Sequence, residues 1–498
     1  MLKTEVQSRQ NLIDGKFVDA QSQATFESRS PAHKHEVVGV FPRSGADDVD
    51  RAVKAARQAF KSWHKVPAPK RAELLYRAAA IITRRKEEMA QALTREMGKV
   101  LKEARGDVQE AIDMTLFVAG EGRRMHGETT PSELPNKFAM SVRQPLGVVA
   151  AITPWNFPVA IPSWKLMPAL LAGNTVVFKP ATDTPNCGQL FIEVLVEAGV
   201  PAGVVNLVHG SGSEVGHALL THPDINLISF TGSTETGREV LRQCGDRNRK
   251  STVELGGKNA IMVMDDADLD LAVEGAVWGA FGTSGQRCTS SSRLVVHRKV
   301  VDAFTTKLVA RAKALRLGDG LLETTEVGPV INQAALEKIH RYTEIGQAEG
   351  ARLMCGGEVE SGGACADGTY YRPTVFADVK PSMRIAQEEI FGPTTVVIPV
   401  DSLDEAVEVT NGVAYGLSAA IYTQNVNQAF AALAEVNTGL FYVNASTIGA
   451  EVQLPFGGTK CTGNGHREAG TPVLDIYTEW KACYIDYSGR LQKAQIDT

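Results

Sequence analysis

The sequence predicts an α/β protein built on parallel sheets, because short apolar strands alternate with helices along most of the chain. The alternation is regular between Gly147 and Cys244, and a second series starts near Glu254. The strands are continuous apolar runs, which is typical of sheets covered by helices on both faces. With 498 residues, the chain is long enough for about three domains or large lobes.

The composition is that of an ordinary globular protein. Hydrophobic residues make up 43% and charged residues 22% of the chain, which excludes disorder as the dominant state. The net charge of −5 predicts neither a nucleic-acid partner nor a polybasic membrane contact. No apolar run reaches the roughly 18 residues of a membrane helix. Residues 1–10 have neither the apolar core of a signal peptide nor the arginine content of a transit peptide. We therefore expect a cytoplasmic protein.

A hairpin and two helices are predicted in the first hundred residues. Residues 11–20 have a strand pattern with Asp14 and Gly15 in a turn. Residues 47–63 place apolar side chains at helical spacing behind capping aspartates. Residues 70–99 form a longer helical pattern that is charged on its outer face. Both are interpreted as solvated helices over a core.

Four strands and four helices alternate between residues 147 and 244. Gly173 is predicted to end the first helix, because glycine readily adopts the left-handed conformation that closes a helix. Ligands bind beyond the carboxyl ends of the strands in parallel sheets. The candidate ligand loops therefore follow the four strands, which are predicted at 147–152, 174–178, 204–208 and 226–230.

The second series of elements is interpreted as a second lobe. Aspartates at 265–268 cap a helix that runs to residue 281. A glycine-rich loop at 282–288 then leads to a strand at 293–297, and further alternation continues to residue 458.

Two more strands are predicted at 137–142 and 478–487. Neither has a strand nearby in the sequence with which it could pair. Unpaired strand edges are usually covered, so the two strands suggest a small sheet that reaches another subunit. A homodimer or homotetramer is the expected assembly, because closed symmetric assemblies of this kind are the commonest.

Three loops rich in glycine, serine and threonine are candidate phosphate sites. They lie at 209–216, 230–237 and 254–257, and the first two open a helix whose N–H groups and dipole favour an anion. The first loop nearly fits the dinucleotide fingerprint, but its third glycine comes one residue late. Local sequence leaves the alternative open that these are tight turns that need glycine.

Three side chains have the chemistry of catalytic groups. Cys288 stands beside Arg287, where a thiol can have a lowered pKa and act as nucleophile, although an inert buried cysteine fits equally. Glu254 lies in an otherwise apolar strand, either as a general base with a raised pKa or as one half of a salt bridge. Asn156 can donate to an oxyanion or simply belong to a proline-flanked turn. The seven cysteines show no metal spacing, so no metal is expected.

Seven short motifs identify a family by their order along the chain. They are Pro154-Trp-Asn-Phe-Pro158, Phe178-Lys-Pro-Ala181, Phe230-Thr-Gly-Ser233, Glu254-Leu-Gly-Gly257, Gly285-Gln-Arg-Cys-Thr289, Glu388-Glu-Ile-Phe-Gly-Pro393 and Pro455-Phe-Gly-Gly458. Over essentially its whole length the chain resembles the NAD(P)-dependent aldehyde dehydrogenase superfamily, and most of all its bacterial semialdehyde-oxidising members. The resemblance implies a Rossmann-type cofactor lobe, an α/β catalytic lobe and a small oligomerisation β-arm.

The resemblance also implies roles for the three candidate catalytic residues. Cys288 is expected to attack the aldehyde carbon as a thiolate. Asn156 and the backbone N–H of Cys288 are expected to hold the oxyanion. Glu254 is expected to activate the water that hydrolyses the resulting thioester.

NAD or NADP is the implied cofactor. Thr182 departs from the family pattern, since NAD-preferring members usually carry a glutamate there, three residues after the ribose lysine. A threonine does not repel a 2′-phosphate, so strict NAD preference is not expected. By resemblance, the cofactor-binding residues are Ile152, Thr153, Pro154, Trp155, Lys179, Thr182, Gly212, Gly216, Phe230, Thr231, Gly232, Ser233, Leu255, Gly256, Glu389 and Phe391.

A small-molecule aldehyde is the implied substrate, with 2,5-dioxopentanoate ahead of aminoadipate semialdehyde and pyrroline-5-carboxylate. The rival functions are a CoA-acylating semialdehyde dehydrogenase and a non-catalytic protein on the same scaffold. By resemblance, the substrate funnel is expected around Phe157, Ile161, Trp164, Arg287 and Thr289.

The resemblance also suggests how the chain is divided. We expect an NAD(P)-binding domain at 1–120 and 143–253, a catalytic domain at 254–458, and an oligomerisation arm and tail at 121–142 and 459–498.

Overall fold

The computed structural model describes residues 6–493 and 495–496. Residues 1–5, which are part of the segment considered above for a signal or transit peptide, lie outside the described residues. No helix in the described part is long and apolar enough to cross a membrane.

The helices account for much of the described chain. The α-helices are Ala46–Trp63, Ala68–Arg84, Lys86–Met97, Leu101–Glu121, Ala160–Ala172, Pro185–Glu197, His217–Thr221, Thr234–Gly245, Leu269–Phe281, Val301–Ala314, Gln333–Ala348, Arg384–Gln387, Leu403–Asn411, Val426–Glu435 and Val473–Tyr477. Shorter helical turns are Gly212–Gly216, Gly282–Gly285 and Gly363–Cys365.

The first of two large sheets has seven strands. Five neighbouring strands, from Lys250–Glu254 to Val205–Leu207 in the order given below, run parallel. Their carboxyl ends therefore meet at one edge of the sheet. An amino-terminal hairpin adds two antiparallel strands. The strand order is Lys250–Glu254, Leu227–Thr231, Val148–Ile152, Thr175–Lys179, Val205–Leu207, Asn11–Ile13 and Lys16–Val18.

The second large sheet also has seven strands. It is parallel except for its first strand. The strand order is Arg352–Cys355, Thr374–Ala377, Thr394–Val400, Ser291–His297, Asn259–Val263, Ser418–Tyr422 and Leu440–Val443. Two parallel sheets with covering helices confirm the predicted α/β fold class.

Smaller sheets complete the fold. One joins Gln7–Ser8, Val37–Pro42 and Thr25–Arg29, and two-stranded pairs join Val359–Glu360 with Tyr370–Tyr371 and Tyr415–Gly416 with Thr459–Lys460. The last contains Thr478–Asp486, Lys137–Pro145 and Thr129–Pro131.

The two late strands are confirmed as strands, and each has its partner in the other strand, far along the chain, rather than in a neighbouring segment. Thr478–Asp486 pairs antiparallel with Lys137–Pro145 over nine residues, from Thr478 opposite Pro145 to Asp486 opposite Lys137. The partners are more than three hundred positions apart, so no local turn signal could reveal the pairing.

The predicted helices are mostly confirmed, with corrections in the first quarter of the chain. Gly173 ends its helix with φ 98°, as predicted. The single helix predicted at 70–99 is two helices, because Arg85 leaves the helical conformation between them (φ −93°, ψ 8°). The helix Leu101–Glu121 was not predicted.

Candidate active site

The loop that carries Cys288 is packed against backbone from the other side of the site. It turns through three consecutive residues with positive φ, the last of which is Gly285 (φ 68°). A Cβ atom on Gly285 would lie 2.0 Å from the carbonyl oxygen of Gly392, so only glycine permits this approach. The Gln286 side chain fixes the loop by accepting a hydrogen bond from the Ile331 N–H at 2.9 Å.

Asn156 lies beside this loop, as the motif spacing predicted. Its buried side chain donates from Nδ2 to the Gln286 carbonyl at 3.0 Å. An amide has two N–H groups and this bond uses one of them. The amide is therefore fixed two residues from Cys288 with donor capacity left for a substrate oxygen.

The thiol of Cys288 is half-buried, and its surroundings disfavour the thiolate. Burial raises its pKa, the carboxylates of Glu254 and Glu389 raise it further, and the N–H groups of Thr289 and Cys288 oppose the rise. The expectation of a pKa lowered by Arg287 is therefore wrong for this structure. The guanidinium of Arg287 lies over aromatic rings and beside another carboxylate instead.

Glu254 is a buried carboxylate at the carboxyl end of its strand, with only 3% of its surface exposed. Its Oε1 has no hydrogen-bond partner among the described residues. Burial raises its pKa well above the usual range, the negative Glu468 raises it further, and Lys165 and Arg467 oppose the rise. The salt-bridge alternative fails, because the buried Lys165 pairs with Glu468 instead.

Sequence reasoning missed the buried polar network beside Glu254. Lys165, in the nearly wholly buried helix Ala160–Ala172, binds Glu468 and donates to Ser229 Oγ at 3.2 Å. Ser229 lies 3.1 Å from the Tyr477 hydroxyl. A lysine within an otherwise apolar helix was the only sequence signal of this network.

The segment Gly256–Gly257 joins Glu254 to the other groups of the site. A Cβ on Gly257 would lie 2.4 Å from the Cys288 carbonyl, and a Cβ on Gly256 would lie 2.3 Å from Glu389 Oε2. The N–H of Gly257 donates to Glu389 Oε1 at 3.0 Å. Three predicted motifs therefore meet at this turn.

The glycine-rich loops lie at the carboxyl ends of the parallel strands, where the cofactor was expected. Ile152 ends its strand and Thr153 donates from its N–H to the Lys179 carbonyl at 3.3 Å, followed by Pro154. Phe230 and Thr231 end the neighbouring strand, and the Gly232 N–H donates to the Glu254 carbonyl at 3.1 Å.

The turn after Thr231 fits a phosphate. Ser233 caps the twelve-residue helix Thr234–Gly245 by accepting from the Thr236 N–H. The hydroxyl of Thr231 is buried and has no partner among the described residues. Orphaned donors at a helix N-terminus are the groups that bind an anionic oxygen, so the residues present fit the pyrophosphate of a dinucleotide.

Trp155, Phe391 and Glu389 form the other end of the predicted cofactor region. The ring of Trp155 meets Phe391 edge to face, with centroids 5.4 Å apart. Burial raises the pKa of Glu389, while the Gly257 N–H, Lys338 and Lys258 oppose the rise. Both lysines were missed by sequence reasoning.

The remaining predicted cofactor residues lie on the same edge of the sheet. Lys179 is buried and donates from Nζ to the Pro180 carbonyl at 2.9 Å. Thr182 donates to the Gly210 carbonyl at 3.3 Å. Gly212 and Gly216 are the first and last residues of one helical turn. The side chain of Leu255 packs against Gly237 so closely that a Cβ atom there would clash with it.

Phe157, one of the predicted substrate residues, contacts two cations. Lys99 Nζ lies 3.7 Å and Arg287 Cζ 5.2 Å from the centroid of its ring. Trp164 is buried and packs edge to face on Phe456, with centroids 4.9 Å apart. Half-buried Ile161 donates from its N–H to the Phe157 carbonyl at 3.1 Å.

The helix Leu101–Glu121, which was not predicted, contributes carboxylates to the region around Phe157 and Arg287. Glu103 Oε1 lies 3.6 Å from Arg287, and Asp107 accepts from the fully buried Lys99 at 2.9 Å. Burial raises the pKa of Glu110 to about 8, and the negative charge of Asp107 is the second cause of the rise. Thr289, the last predicted substrate residue, is buried, and its carbonyl accepts from Thr447.

Comparison with known proteins identifies this arrangement. The sequence pattern of the Aldehyde dehydrogenase family matches residues 17–483. The chain is 42% identical over 482 residues to an alpha-ketoglutaric semialdehyde dehydrogenase of Bacillus subtilis, covering 97% of this chain and 99% of the relative. It is 41% identical over 458 residues to a 2,5-dioxopentanoate dehydrogenase of Saccharolobus solfataricus, covering 91% and 95%.

Solved structures agree with these sequence relatives. An NAD-dependent aldehyde dehydrogenase of Sinorhizobium meliloti superposes with TM-score 0.95 at 38% identity, covering 98% of this chain and 97% of the other. A betaine aldehyde dehydrogenase of Staphylococcus aureus in complex with NAD⁺ superposes with TM-score 0.95 at 34% identity, covering 97% and 96%.

The chain belongs to the aldehyde dehydrogenase family. It is an aldehyde-oxidising oxidoreductase that uses NAD or NADP.

The carboxylate of Glu254 and the thiol of Cys288 are electrostatically coupled, which makes a testable prediction. At pH values above the pKa of Glu254, where its carboxyl is ionised, removing this negative charge in Glu254→Gln should lower the pKa of Cys288 and increase the thiolate fraction. Alkylation of Cys288 by iodoacetamide, followed by mass spectrometry of its peptide, should therefore be faster in the variant.

The exposed Glu451 provides the matched control, since Glu451→Gln should leave the alkylation rate unchanged. Slower alkylation in Glu254→Gln would contradict the prediction and would show that Glu254 takes the proton from Cys288.

Proposed function

We propose that this protein oxidises 2,5-dioxopentanoate to the dicarboxylic acid through a thioester on Cys288 that Glu254 hydrolyses. The observation that carries the proposal is the buried Oε1 of Glu254, which has no partner among the described residues and lies close enough to raise the pKa of Cys288. A carboxylate with a raised pKa and a free oxygen is suited to take a proton from water.

The first steps of the reaction belong to Cys288 and Asn156. The thiol of Cys288 releases its proton to solvent, and its sulfur forms a bond to the aldehyde carbon. The carbonyl oxygen becomes an oxyanion that the free N–H of Asn156 and the backbone N–H of Cys288 stabilise. Because the Gln286 carbonyl already holds Asn156 in place, little reorganisation accompanies the charge development.

A bound nicotinamide nucleotide supplies the acceptor for the hydride that leaves the substrate carbon. In our proposal Thr231, Gly232 and Ser233 hold its pyrophosphate, Lys179 holds its adenosine ribose and Glu389 holds its nicotinamide ribose. The cofactor domain at 1–120 and 143–253 and the catalytic domain at 254–458 follow from this assignment.

Glu254 completes the reaction by taking a proton from water, whose oxygen attacks the carbonyl carbon of the thioester. The carbon–sulfur bond then breaks, which releases the acid and regenerates the Cys288 thiolate. This role favours hydrolysis over the alternative in which CoA takes the acyl group, because transfer to CoA needs no base for water. The joint presence of Cys288, Glu254 and Asn156 around one turn favours an enzyme over a non-catalytic protein on the same scaffold.

Arg287 supports a substrate with a carboxylate remote from the aldehyde. Its guanidinium faces Glu103 at 3.6 Å, a contact longer than a hydrogen bond, and lies over Phe157 and Trp278. Guanidinium binds carboxylates by paired hydrogen bonds. Relatives named for alpha-ketoglutaric semialdehyde and 2,5-dioxopentanoate agree with this placement.

Glu110 favours a second candidate, a semialdehyde with an amino group beside its carboxylate, such as aminoadipate semialdehyde. The charges of Arg287 and Lys99 act on Glu110, so the carboxyl lies in the same region as the guanidinium. Lys99 is already paired with Asp107. A substrate ammonium would therefore find an acceptor in Glu110 next to the site for its carboxylate.

The division of labour between the catalytic residues predicts two kinetic phenotypes. Glu254→Gln should release one equivalent of NAD(P)H per active site in a burst and then turn over about 10²-fold more slowly, because the base for water is lost. Cys288→Ala should show no burst. Absorbance of NAD(P)H in stopped flow measures both.

CoA serves as the control in the same experiment. Steady-state turnover of the unaltered enzyme should not depend on CoA, and CoA-dependent turnover would establish the acylating alternative. Near-normal steady-state turnover of Glu254→Gln would return Glu254 to a structural role.

The substrate assignment is tested by a panel of aldehydes with variants of the funnel. Arg287→Met should raise KM for 2,5-dioxopentanoate about tenfold or more and change kcat/KM for pentanal little. Only 2,5-dioxopentanoate has a carboxylate that Arg287 can bind. Arg105→Met, at a partly exposed position paired with Glu87, is the matched control.

Glu110→Gln separates the two candidate substrates. It should leave 2,5-dioxopentanoate oxidation intact and lower kcat/KM for aminoadipate semialdehyde. Greater activity on the amino substrate than on 2,5-dioxopentanoate in the unaltered enzyme would overturn the leading assignment.

We also propose a homodimer or homotetramer in the cytoplasm. The edge strand Thr478–Asp486 has no partner on its outer side within the described chain. It exposes Trp480, Tyr484 and Ile485, and contiguous exposed apolar side chains are typical of interfaces. Light scattering should show at least a dimer at micromolar concentration, and a stable monomer would contradict the proposal.

A further inference from the structure

The backbone that follows the Cys288 sulfur is held by side chains from other segments of the chain. The carbonyl oxygens of the four consecutive residues from Cys288 to Ser291 each accept a hydrogen bond from a side chain outside this segment. Most hydrogen bonds to backbone groups come from other backbone groups, so four side-chain donors in succession are unusual. The segment is therefore fixed from outside at every one of these positions.

Asn259 binds two of the four carbonyls. This buried residue begins the strand Asn259–Val263. Its Nδ2 donates to the Cys288 carbonyl at 2.7 Å and to the Ser290 carbonyl at 2.9 Å. Its Oδ1 accepts from the Ser418 N–H at 3.0 Å. Both amide hydrogens are used and the oxygen has a partner, so the side chain is held in one orientation.

Thr447 and Thr395 bind the other two carbonyls. The hydroxyl of Thr447, which is fully buried, donates to the Thr289 carbonyl at 2.6 Å and lies 2.7 Å from Ser291 Oγ. The hydroxyl of Thr395 donates to the Ser291 carbonyl at 2.9 Å. Three segments that are distant in sequence therefore converge on the backbone beside the thiol.

The hydrogen bond to the Cys288 carbonyl also determines where a neighbouring N–H points. The peptide bond from Cys288 to Thr289 is trans, so its C=O and N–H point in opposite directions. Asn259 holds the C=O on one side, which directs the Thr289 N–H to the other side. That N–H is one of the two that lower the pKa of Cys288 against the larger effect of burial.

We propose that Asn259 is a positioning residue for the nucleophile, because it aims the Thr289 N–H at the Cys288 sulfur and polarises that N–H through the shared peptide group. The proposal rests on the proposed function, in which the Cys288 thiolate attacks the aldehyde. Thr447 supports the same geometry by fixing the next carbonyl along the chain.

The charged groups around the thiol are the same with and without this hydrogen bond. Glu254 and Glu389 are the carboxylates that act on the sulfur, and both raise the pKa of Cys288. The guanidinium of Arg287 lies over aromatic rings instead. A neutral substitution of Asn259 removes none of these charges. A change in the titration of Cys288 therefore reports on the N–H.

The rival interpretation gives Asn259 a structural role at a β-bulge. Asn259 lies opposite Ser291 but Ala260 lies opposite Arg293, so Ser292 is an extra residue in the neighbouring strand. A side chain that bridges a bulge stabilises the sheet without acting on the sulfur. Loss of a donor that favours the thiolate moves the titration of the thiol to higher pH. A loosened sheet lowers the stability of the protein and leaves the titration in place.

The test is the pH profile of Cys288 alkylation by iodoacetamide in the full chain, measured by mass spectrometry of its peptide. Asn259→Leu keeps the size of the side chain but removes its donors. The profile should shift about one unit to higher pH, because a hydrogen bond to a charged group is worth about that much. Alkylation at about pH 8 should then be about tenfold slower. Thr447→Val should shift the profile in the same direction by less, and Thr447→Ser, which keeps the hydroxyl, should restore it.

Thr395→Val is the matched control. It removes a hydroxyl donor from a carbonyl of the same segment, but the peptide of that carbonyl contains neither of the N–H groups that act on the sulfur. Its profile should equal that of the unaltered protein. Unshifted profiles in Asn259→Leu and Thr447→Val, or an equal shift in Thr395→Val, would overturn the proposal and leave Asn259 a structural role. If Asn259→Leu does not fold, the comparison of Thr447→Val with Thr447→Ser decides by the same criterion.

The proposed function and this positioning role fail separately, because alkylation requires no aldehyde. A shifted profile in a protein whose Cys288→Ala variant still oxidises the aldehyde removes the proposed reaction and leaves the effect of Asn259 on the sulfur. An unshifted profile in a protein that shows the normal burst of NAD(P)H removes the positioning role alone.

Discussion

The backbone of Gly256 and Gly257 is the constraint on which the rest of the site depends. This short segment leaves the first large sheet after Glu254 and enters the second at Asn259. Its two glycines leave no room for a side chain on either side, because the Cys288 carbonyl and the Glu389 carboxylate lie against them. Any Cβ there would push apart groups that must share one substrate.

Burial gives these groups their chemistry as well as their positions. Removing Glu254 and Cys288 from water disfavours both charged forms, and each negative charge disfavours the other. The net negative charge of the site is therefore smaller than the number of its acidic side chains suggests. Lys165 pairs with Glu468 and forms no salt bridge to Glu254, so the catalytic oxygen of Glu254 stays available.

The sequence allowed the fold class and most catalytic groups to be predicted, because both depend on local patterns. Short apolar runs alternating with helices predicted the parallel strands, and the family resemblance of Gly285-Gln-Arg-Cys-Thr289 predicted the nucleophile. The pairing of Lys137–Pro145 with Thr478–Asp486 and the charges around Phe157 depend on contacts between distant segments. The direction of the Cys288 pKa shift was missed for the same reason, since Arg287 is adjacent in sequence but its guanidinium lies against Phe157 and Trp278.

The long separation of the two arm strands has a consequence for how the protein is made. Lys137–Pro145 is synthesised early, but the strand that covers one of its edges lies at the far end of the chain. On the ribosome that edge therefore stays uncovered until residues 478–486 have been translated. Only the short strand Thr129–Pro131 is available in the meantime, on the opposite edge. The arm is thus the last sheet that can be completed, and a truncated chain would carry an open strand edge able to pair with other nascent chains.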